Sequence, residues 1–184
     1  MTDTANISAA DLMPILIAPH PVLKAKARPV ITSDNELVRS LIPRMFATMY
    51  KAPGIGLAAP QIGLSLRVAV VDVSEAEKPL APLVMVNPEV VAASSELRVH
   101  EEGCLSLPNQ FADVTRPSII KVRFEDASGM KCEIEADGLL ATCIQHEIDH
   151  LNGVLFVDHI SALKRNIIMR KLAKEQRTKA EARS

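Results

Sequence analysis

The sequence predicts an α+β fold in which mixed or antiparallel sheets surround a central buried helix, with a further helix near each end of the chain. Three observations support this class. Residues 137–152 form an apolar, capped helical segment that carries His-Glu-x-x-His, residues 120–136 alternate as a hairpin does, and segments 34–50 and 161–184 have helical character. At 184 residues, of which 48% are hydrophobic, residues 1–184 are expected to form a single domain.

The composition argues against several classes of protein. No apolar run approaches the length of a bilayer span, so no membrane partner is expected. A net charge of −1 and an aromatic content of 3% argue against a protein dedicated to nucleic acid, and no DNA partner is expected. The three cysteines form no even disulfide framework, and the first residues lack the basic-then-apolar order of a secretory signal, which predicts a cytoplasmic location.

The N-terminal third is predicted to contain a leader, a helix and a loop. Residues 1–12 are small and polar without a clear period and are expected to be a loose leader. In segment 34–50 apolar residues recur every four positions, which predicts an amphipathic helix that Pro43 should kink or shorten. Segment 51–63, with three glycines and two prolines, is predicted to be an irregular loop.

Strands are predicted to follow this loop. Residues 67–73 and 83–87 are apolar enough for short buried strands, and residues 94–100 are a weaker, more polar candidate. Residues 120–125 and 130–136 alternate between apolar and polar side chains around a turn, which predicts a hairpin with one buried face.

A last helix is predicted within the basic C-terminal segment 161–184. Its apolar residues lie near one side and are expected to dock it onto the domain: Ile160, Leu163, Ile167, Ile168 and Leu172. Beyond them the helix is expected to fray. The segment holds eight Lys or Arg residues against two Glu, a run that is usually a solvated face.

The central helix is the most informative segment. Asp137 is a favourable N-cap, no helix breaker follows through residue 152, and Gly153 occupies the place of a left-handed residue after the helix. Residues 139–144 are apolar on every side, which predicts a helix covered all round by the fold. The polar residues that follow are costly in such a setting unless something compensates them.

The polar half of this helix predicts a metal site. His146 and His150 are one turn apart on one face, so their imidazoles can bind a single cation, with Glu147 beside it. Histidines that hydrogen-bond within a core are the alternative, but this pattern on a capped apolar helix favours a metal. Phe156 stands where metzincins place their next histidine, which excludes that class. A zinc-like site needs at least three protein ligands, so the third must come from elsewhere.

Cys104 is the best candidate for the third ligand. Cys143 would lie roughly 7 Å along the helix axis from a metal held by the two histidines, beyond the reach of a thiol. Cys132 falls on the apolar side of the predicted hairpin and is expected to be a small buried residue. Cys104, flanked by Gly103 and Pro108, is predicted to lie on a tight turn that faces a cavity. Water in the fourth place would make the site catalytic.

Other potential ligands lack support from their surroundings: Glu175, His159, His20 and His100. The first lies in a basic segment, the second is expected at the surface, and the last two carry no motif. Segment 54–59 imitates a dinucleotide-binding fingerprint but lacks the strand before it and the helix after it. We interpret it as a loop whose backbone approaches a ligand, with the amide of Gln61 aimed into the site.

Three segments resemble the motifs of the peptide deformylase family in order and spacing: Gly-Ile-Gly-Leu-Ala-Ala-Pro-Gln at 54–61, Glu-Gly-Cys-Leu-Ser at 102–106 and Gln-His-Glu-Ile-Asp-His at 145–150. The likeness extends from about Met13 through the C-terminal helix. It implies metal ligation by Cys104, His146 and His150. It also implies Fe²⁺ in the cell, although Zn²⁺, Ni²⁺ and Co²⁺ suit the same donors. The implied reaction removes formyl from the formyl-methionine of new chains and releases formate.

The resemblance also implies roles for individual residues. Glu147 would take a proton from water and return it to the leaving amine, while the Gln61 amide and the backbone N–H of Leu105 would hold the developing oxyanion. Gly56 would hydrogen-bond the peptide backbone. The methionine side chain would be accepted by Ile55, Leu139 and Cys143.

Some features leave alternatives open. Phe111 stands where some members of the family have an arginine that lines the site. Asp149 is expected either to be a solvated charge or to orient a ligand or pair with a base such as Arg116. The resemblance implies that the basic C-terminal helix contacts the ribosome, and a cationic helix suits ribosomal RNA. An HExxH-type metallopeptidase and a non-catalytic metal-stabilised binding module are the alternative functions.

Overall fold

The computed structural model describes residues 12–75 and 78–182, so the expected leader lies almost wholly outside the described residues. The helices are α1 (Pro21–Lys24), α2 (Asn35–Lys51), α3 (Gly138–Leu151) and α4 (Ala162–Glu181). The strands are β1 (Gly56–Ala58), β2 (Val68–Val71), β3 (Leu83–Ala93), β4 (Leu97–Cys104), β5 (Leu107–Pro117), β6 (Ile119–Glu125) and β7 (Lys131–Asp137). Short 3₁₀ turns lie at Thr32–Asp34, Ala59–Ile62 and Phe156–His159.

The strands form two antiparallel sheets, which confirms the predicted α+β class. One sheet has five strands in the order β1-β2-β3-β6-β7, and the other is the β4–β5 hairpin alone. Strand β2 shows why the larger sheet needs cover on both faces. Ala69 and Val71 pack with α3, whereas Val68 and Val70 pack with α2, so all four residues are buried. The sheet therefore lies between these two helices.

Helix α3 lies at the centre of the fold, as predicted. Asp137 occupies the N-cap position, although its side chain makes no capping hydrogen bond. Gly153 has a φ of 74°, and a Cβ there would lie 2.5 Å from the Lys24 carbonyl oxygen, so glycine is required for two reasons. The prediction that residues 139–144 are covered all round is wrong at Leu139, which is 41% exposed because it faces an open cavity.

Several local predictions are corrected by tertiary contacts. Helix α2 is not shortened at Pro43, because it runs unbroken from Asn35 to Lys51. The segment 51–63 is not wholly irregular, because residues 56–58 pair with β2. Residues 107–117, for which no strand was predicted, form β5 because Leu107 and residues 111–117 pair with β4, which overlaps the polar candidate strand. The predicted hairpin at 120–136 is confirmed as β6 and β7.

Helix α4 docks on fewer residues than predicted. Ser161 caps it, since its hydroxyl accepts a hydrogen bond from the Lys164 N–H at 3.3 Å. Ile168 and Leu172 are buried, but Leu163 and Ile167 are 71% and 57% exposed, so the expected docking of these two residues is wrong. In the described part of the chain no helix has the length and apolar character to cross a bilayer.

Candidate metal centre

A cavity of about 520 Å³ opens where the loop after α2, the tip of the β4–β5 hairpin and helix α3 meet. Its walls are mainly apolar, and its floor carries the polar residues of α3. The residues that line it include most of those singled out from the sequence: Ile55, Gly56, Gln61, Cys104, Leu105, Phe111, Leu139, Cys143, His146 and Glu147. His100, which carried no motif, also lines it.

Three side chains converge on one point at the floor of this cavity. The Cys104 Sγ lies 3.2 Å from the His150 Nε2, which lies 3.2 Å from the His146 Nε2. All three candidate ligand atoms lie within 4.8 Å of one another. Donors at the usual distances from a tetrahedral ion are separated by about 3.3–3.6 Å, so the observed spacing fits a divalent cation with one open position.

Each candidate ligand is held by a regular element. The two histidines share one face of α3, where the four-residue spacing places one ring above the other. Cys104 is the last residue of β4 and is followed by a two-residue turn, so the predicted tight turn is confirmed. The pairing of β4 with β5 shifts register between Gly103 and Cys104, at the end of the strand that carries the thiol.

Glu102 was missed by the sequence analysis. Its carboxylate accepts hydrogen bonds from the Arg116 Nε at 2.5 Å and Nη2 at 2.9 Å, and it lies 2.9 Å from the His146 Nδ1. Burial alone would raise the pKa of Glu102, but these partners outweigh it and hold the pKa at about 2. The ionised carboxylate fixes the ring so that Nε2 faces the cavity. Alternation along the strand could have identified Glu102 from the sequence, because the residue two positions before Cys104 lies on the same face of the strand.

The same network includes Asp149. Its carboxylate accepts a hydrogen bond from the Arg116 Nη1 at 2.8 Å and lies 2.7 Å from the His159 Nε2. The expectation that Asp149 pairs with Arg116 is confirmed. His159 is exposed, as expected, so the network reaches from the centre to the surface.

Glu147 is buried beside the candidate ligands. It is 3% exposed, and among the described residues its Oε2 has no hydrogen-bond partner. Burial raises the pKa of Glu147 to about 7. A Cβ on Gly56 would collide with this carboxylate and lie 2.9 Å from the Cys143 Sγ, so only glycine fits there. Burial has the opposite effect on His150: it lowers the pKa of the imidazole well below its ordinary value, which favours the neutral ring that binds metals.

The amide of Gln61 is fully oriented. Its Oε1 accepts a hydrogen bond from the Ala58 N–H at 2.9 Å, so its Nε2 must point the other way. The Nε2 donates to the Ser106 Oγ at 3.2 Å and lies 3.6 Å from the Cys104 Sγ. The expectation that this amide is aimed into the site is confirmed. Ser106, wholly buried, was missed as its support.

The rejected candidates are not among the three converging donors. The Cys143 Sγ donates to the Ile55 carbonyl oxygen at 3.5 Å, and Cys132 is only partly buried on β7. Glu175 accepts a hydrogen bond from the Gln110 side chain at 3.4 Å. His20 caps α1 through its Nδ1, which accepts from a backbone N–H at 3.3 Å.

A site of three protein donors with an open position is typical of catalytic rather than structural metal centres. With an unpartnered buried carboxylate next to the donors, the class of protein is a metal-dependent hydrolase. The particular family follows from comparison with known proteins: the chain belongs to the polypeptide deformylase family, whose sequence model matches residues 12–166.

Individual relatives agree with this assignment. The peptide deformylase of Brucella suis biovar 1 (strain 1330) is 51% identical over 161 residues, which cover 88% of this chain and 91% of that protein. That of Rhizobium meliloti (strain 1021) is 51% identical over 168 residues, covering 91% and 96%. A crystal structure of a peptide deformylase from Legionella pneumophila matches with a TM-score of 0.84 and 47% identity, covering 92% of this chain and 98% of that one. A crystal structure of the Ehrlichia chaffeensis enzyme in complex with actinonin matches with a TM-score of 0.85 and 38% identity, covering 90% and 98%.

Proposed function

We infer that this protein is a peptide deformylase, a hydrolase that removes the formyl group from the N-terminal formyl-methionine of newly made polypeptides and releases formate. The observation that carries this conclusion is the convergence of one thiol and two imidazoles within 4.8 Å at the floor of an apolar cavity. Membership of the polypeptide deformylase family supports it. We propose that residues 1–184 form one catalytic domain and that the enzyme acts in the cytoplasm, where its substrates are made.

Cys104, His146 and His150 would hold one divalent metal ion, which we propose is Fe²⁺ in the cell. Zn²⁺, Ni²⁺ and Co²⁺ suit the same donors and can replace it in purified protein. When bound, the metal acts as a Lewis acid that makes water a nucleophile near neutral pH. The Glu102 carboxylate, at 2.9 Å from the His146 Nδ1, keeps one imidazole in the tautomer that a metal requires.

Glu147 would move the proton. Its buried carboxylate lies against Gly56 in the cavity wall. We propose that it accepts a proton from the attacking water and returns it to the amine that leaves. Because its Oε2 has no partner among the described residues, the carboxylate is free to exchange a proton with the substrate.

The substrate would be held by groups around this carboxylate. The Gln61 Nε2 and the backbone N–H of Leu105 would donate to the oxyanion that develops on the formyl group. Gly56 would hydrogen-bond the peptide backbone. The methionine side chain would enter between Ile55 and Leu139, which are 42% and 41% exposed in the absence of a substrate, with the buried Cys143 behind them. These side chains give the pocket its apolar character.

The test is formate release from formylated and unformylated methionyl peptides, with metal analysis, on protein purified with and without oxygen. We expect formate only from formylated peptides. In Glu147→Gln we expect the fold and metal content to remain and turnover to fall by about 10²–10⁴-fold. Glu135→Gln, an exposed glutamate on β7, is the matched control and should retain full activity.

Three results would contradict this function. No formate under either purification condition would exclude a deformylase. Cleavage of unformylated peptides would instead indicate a metallopeptidase of the HExxH type. Full activity in Glu147→Gln would exclude the proposed proton transfer.

We also propose that α4 contacts the ribosome. Beyond Leu172 no described residue of this helix is fully buried, and segment 161–184 carries eight Lys or Arg residues against two Glu. Such a helix can bind ribosomal RNA through phosphate contacts, and binding should weaken as salt rises. Deletion of residues 173–184 should lower ribosome affinity and flatten its salt dependence. Binding that is unchanged by the deletion at every salt concentration would overturn the proposal.

A further inference from the structure

One wall of the cavity is built from residues 52–56, which we call the wall segment. All five of these residues line the cavity, and the segment runs from the end of α2 to the first residue of β1. Near its start the segment is held to α2, because the Gly54 N–H donates to the Met49 carbonyl oxygen at 2.9 Å. Its far end is held by contacts outside α2.

Asp72 holds the far end of the wall segment. It directly follows β2, and its backbone N–H donates to the Ile55 carbonyl oxygen at 2.9 Å. The same carbonyl oxygen accepts a hydrogen bond from the Cys143 Sγ at 3.5 Å. Ile55 is therefore placed between the end of β2 and helix α3. Because Ile55 and Cys143 are both proposed to accept the methionine side chain, the position of Asp72 bears on the shape of that pocket.

A short hydrogen bond joins Asp72 to the last turn of α2. The Tyr50 hydroxyl donates to the Asp72 Oδ2 at 2.6 Å, and the Asp72 Oδ1 accepts from the Ser74 backbone N–H at 3.0 Å. Asp72 is buried, which alone would raise its pKa, but the hydrogen bonds from Ser74 and Tyr50 outweigh burial and lower the pKa. The carboxylate is therefore ionised near neutral pH, and a hydrogen bond to an ionised acceptor is stronger than one between neutral groups.

This hydrogen bond connects both ends of the wall segment to one residue. Tyr50 lies just before the segment, and Asp72 binds both the Tyr50 hydroxyl and the Ile55 carbonyl oxygen. The Tyr50 ring also stacks on Phe46, with ring centroids 5.9 Å apart, but that contact lies within α2. The hydroxyl is therefore the part of Tyr50 that ties α2 to Asp72.

We propose that Tyr50 is a positioning residue for methionine recognition: through Asp72, its hydroxyl fixes the place of Ile55 in the cavity wall. This role rests on the deformylase function and concerns the same cavity. Without the hydroxyl, the start of the wall segment can move relative to Asp72, and Ile55 no longer meets the methionine side chain in one fixed position. A substrate whose first side chain is too short to reach Ile55 loses nothing. The candidate metal ligands and Glu147 lie on β4 and α3, outside this connection, so the chemical step keeps its rate.

The experiment measures kcat and KM of the full-length, metal-loaded wild type and Tyr50→Phe for two peptides, formyl-Met-Ala-Ser and formyl-Ala-Ala-Ser. For the methionyl peptide, Tyr50→Phe should raise KM by about 3- to 10-fold and change kcat by less than about twofold. For the alanyl peptide, kcat/KM should change by less than about twofold, so the Met-to-Ala ratio of kcat/KM falls. This ratio does not depend on the fraction of enzyme that is folded, so a merely structural role for Tyr50 would leave it unchanged.

Two further variants test the route through Ile55. Ser128→Ala is the matched control, because it removes a hydroxyl that donates to the Asp126 Oδ1 at 2.7 Å in the turn between β6 and β7, and it should leave the Met-to-Ala ratio unchanged. In an Ile55→Ala background, Tyr50→Phe should lower the ratio no further, because both changes act on one contact with the substrate.

Two outcomes would overturn this role for Tyr50: an unchanged Met-to-Ala ratio in Tyr50→Phe, or a loss of the same size when Ile55 is already alanine. Either outcome would leave the deformylase function standing. Formate release by the wild type from neither peptide would contradict the function itself.

Discussion

Glu102→Gln tests how the structure holds the metal centre. The change removes one negative charge from the point where Glu102, Arg116 and His146 meet, and it keeps the volume of the side chain. The side chains of Glu102 and Arg116 are 4% and 6% exposed, so the guanidinium would lose a buried partner. Removing one partner of a buried pair costs about 3–5 kcal/mol. Asp149 still accepts from the Arg116 Nη1 at 2.8 Å, so we expect a loss of about 3 kcal/mol in the free energy of unfolding.

The same variant should weaken metal binding. Without a carboxylate at the His146 Nδ1, the ring loses the group that fixes its tautomer and orientation, a change that typically costs 10–100-fold in metal affinity. The assay is competition of metal-free protein with a chelator for Co²⁺ or Zn²⁺, together with denaturant unfolding. Glu133→Gln, which breaks exposed ion pairs with Lys121 and Arg123, is the matched control and should change stability by less than about 1 kcal/mol. An unchanged metal Kd together with an unchanged unfolding midpoint in Glu102→Gln would refute this reasoning.

Three further predictions concern other parts of the fold. Gly56→Ala should cost about 1–3 kcal/mol in stability and most of the activity, because its methyl group would collide with the buried Glu147 carboxylate; wild-type activity in the purified variant would contradict this. Leu172→Ala should lower the free energy of unfolding by about 2–5 kcal/mol, whereas Leu163→Ala should change it by less than about 0.5; equal effects would show that α4 docks differently. Asp34 has a pKa lowered to about 2 by its hydrogen bonds with Arg28, so its stabilisation should be present above about pH 4 and lost as the pH falls towards 2; Asp34→Asn should lose this part of the pH dependence in acid unfolding, and an unchanged profile would contradict it.

Local signals in the sequence were sufficient to predict α3 and the candidate metal ligands that it carries. The cap position at Asp137, the left-handed Gly153 and the spacing of the two histidines are properties of neighbouring residues, and the structure confirms them. Cys104 could also be predicted from the sequence, because distance along the helix axis excludes Cys143 and the turn at residue 105 exposes the Cys104 thiol. A motif that is complete within one turn of helix or one tight turn can be recognised before the fold is known.

Features that depend on long-range contacts could not be predicted from the sequence in the same way. Strand β5 has weak intrinsic character and forms because β4 supplies a partner for it. The role of Glu102 depends on Arg116 and His146, which are 14 and 44 residues away. Periodicity showed that α4 has apolar residues near one side, but not that Leu163 and Ile167 would remain exposed. These features depend on which surfaces of the protein pack against each other, whereas periodicity in the sequence describes one helix or strand at a time.

The metal centre joins two parts of the fold that backbone pairing leaves separate. The tip of the β4–β5 hairpin pairs with no strand of the five-stranded sheet among the described residues. It is attached to α3 by side chains, through Glu102 with His146 and Arg116 with Asp149. A metal held by Cys104 from the hairpin and the two histidines from α3 would link the same two elements. Because ligands that bind only the folded state stabilise it, the metal would fix the position of the cavity wall as well as take part in the chemistry. Loss of metal should therefore loosen the substrate cavity and the catalytic centre together.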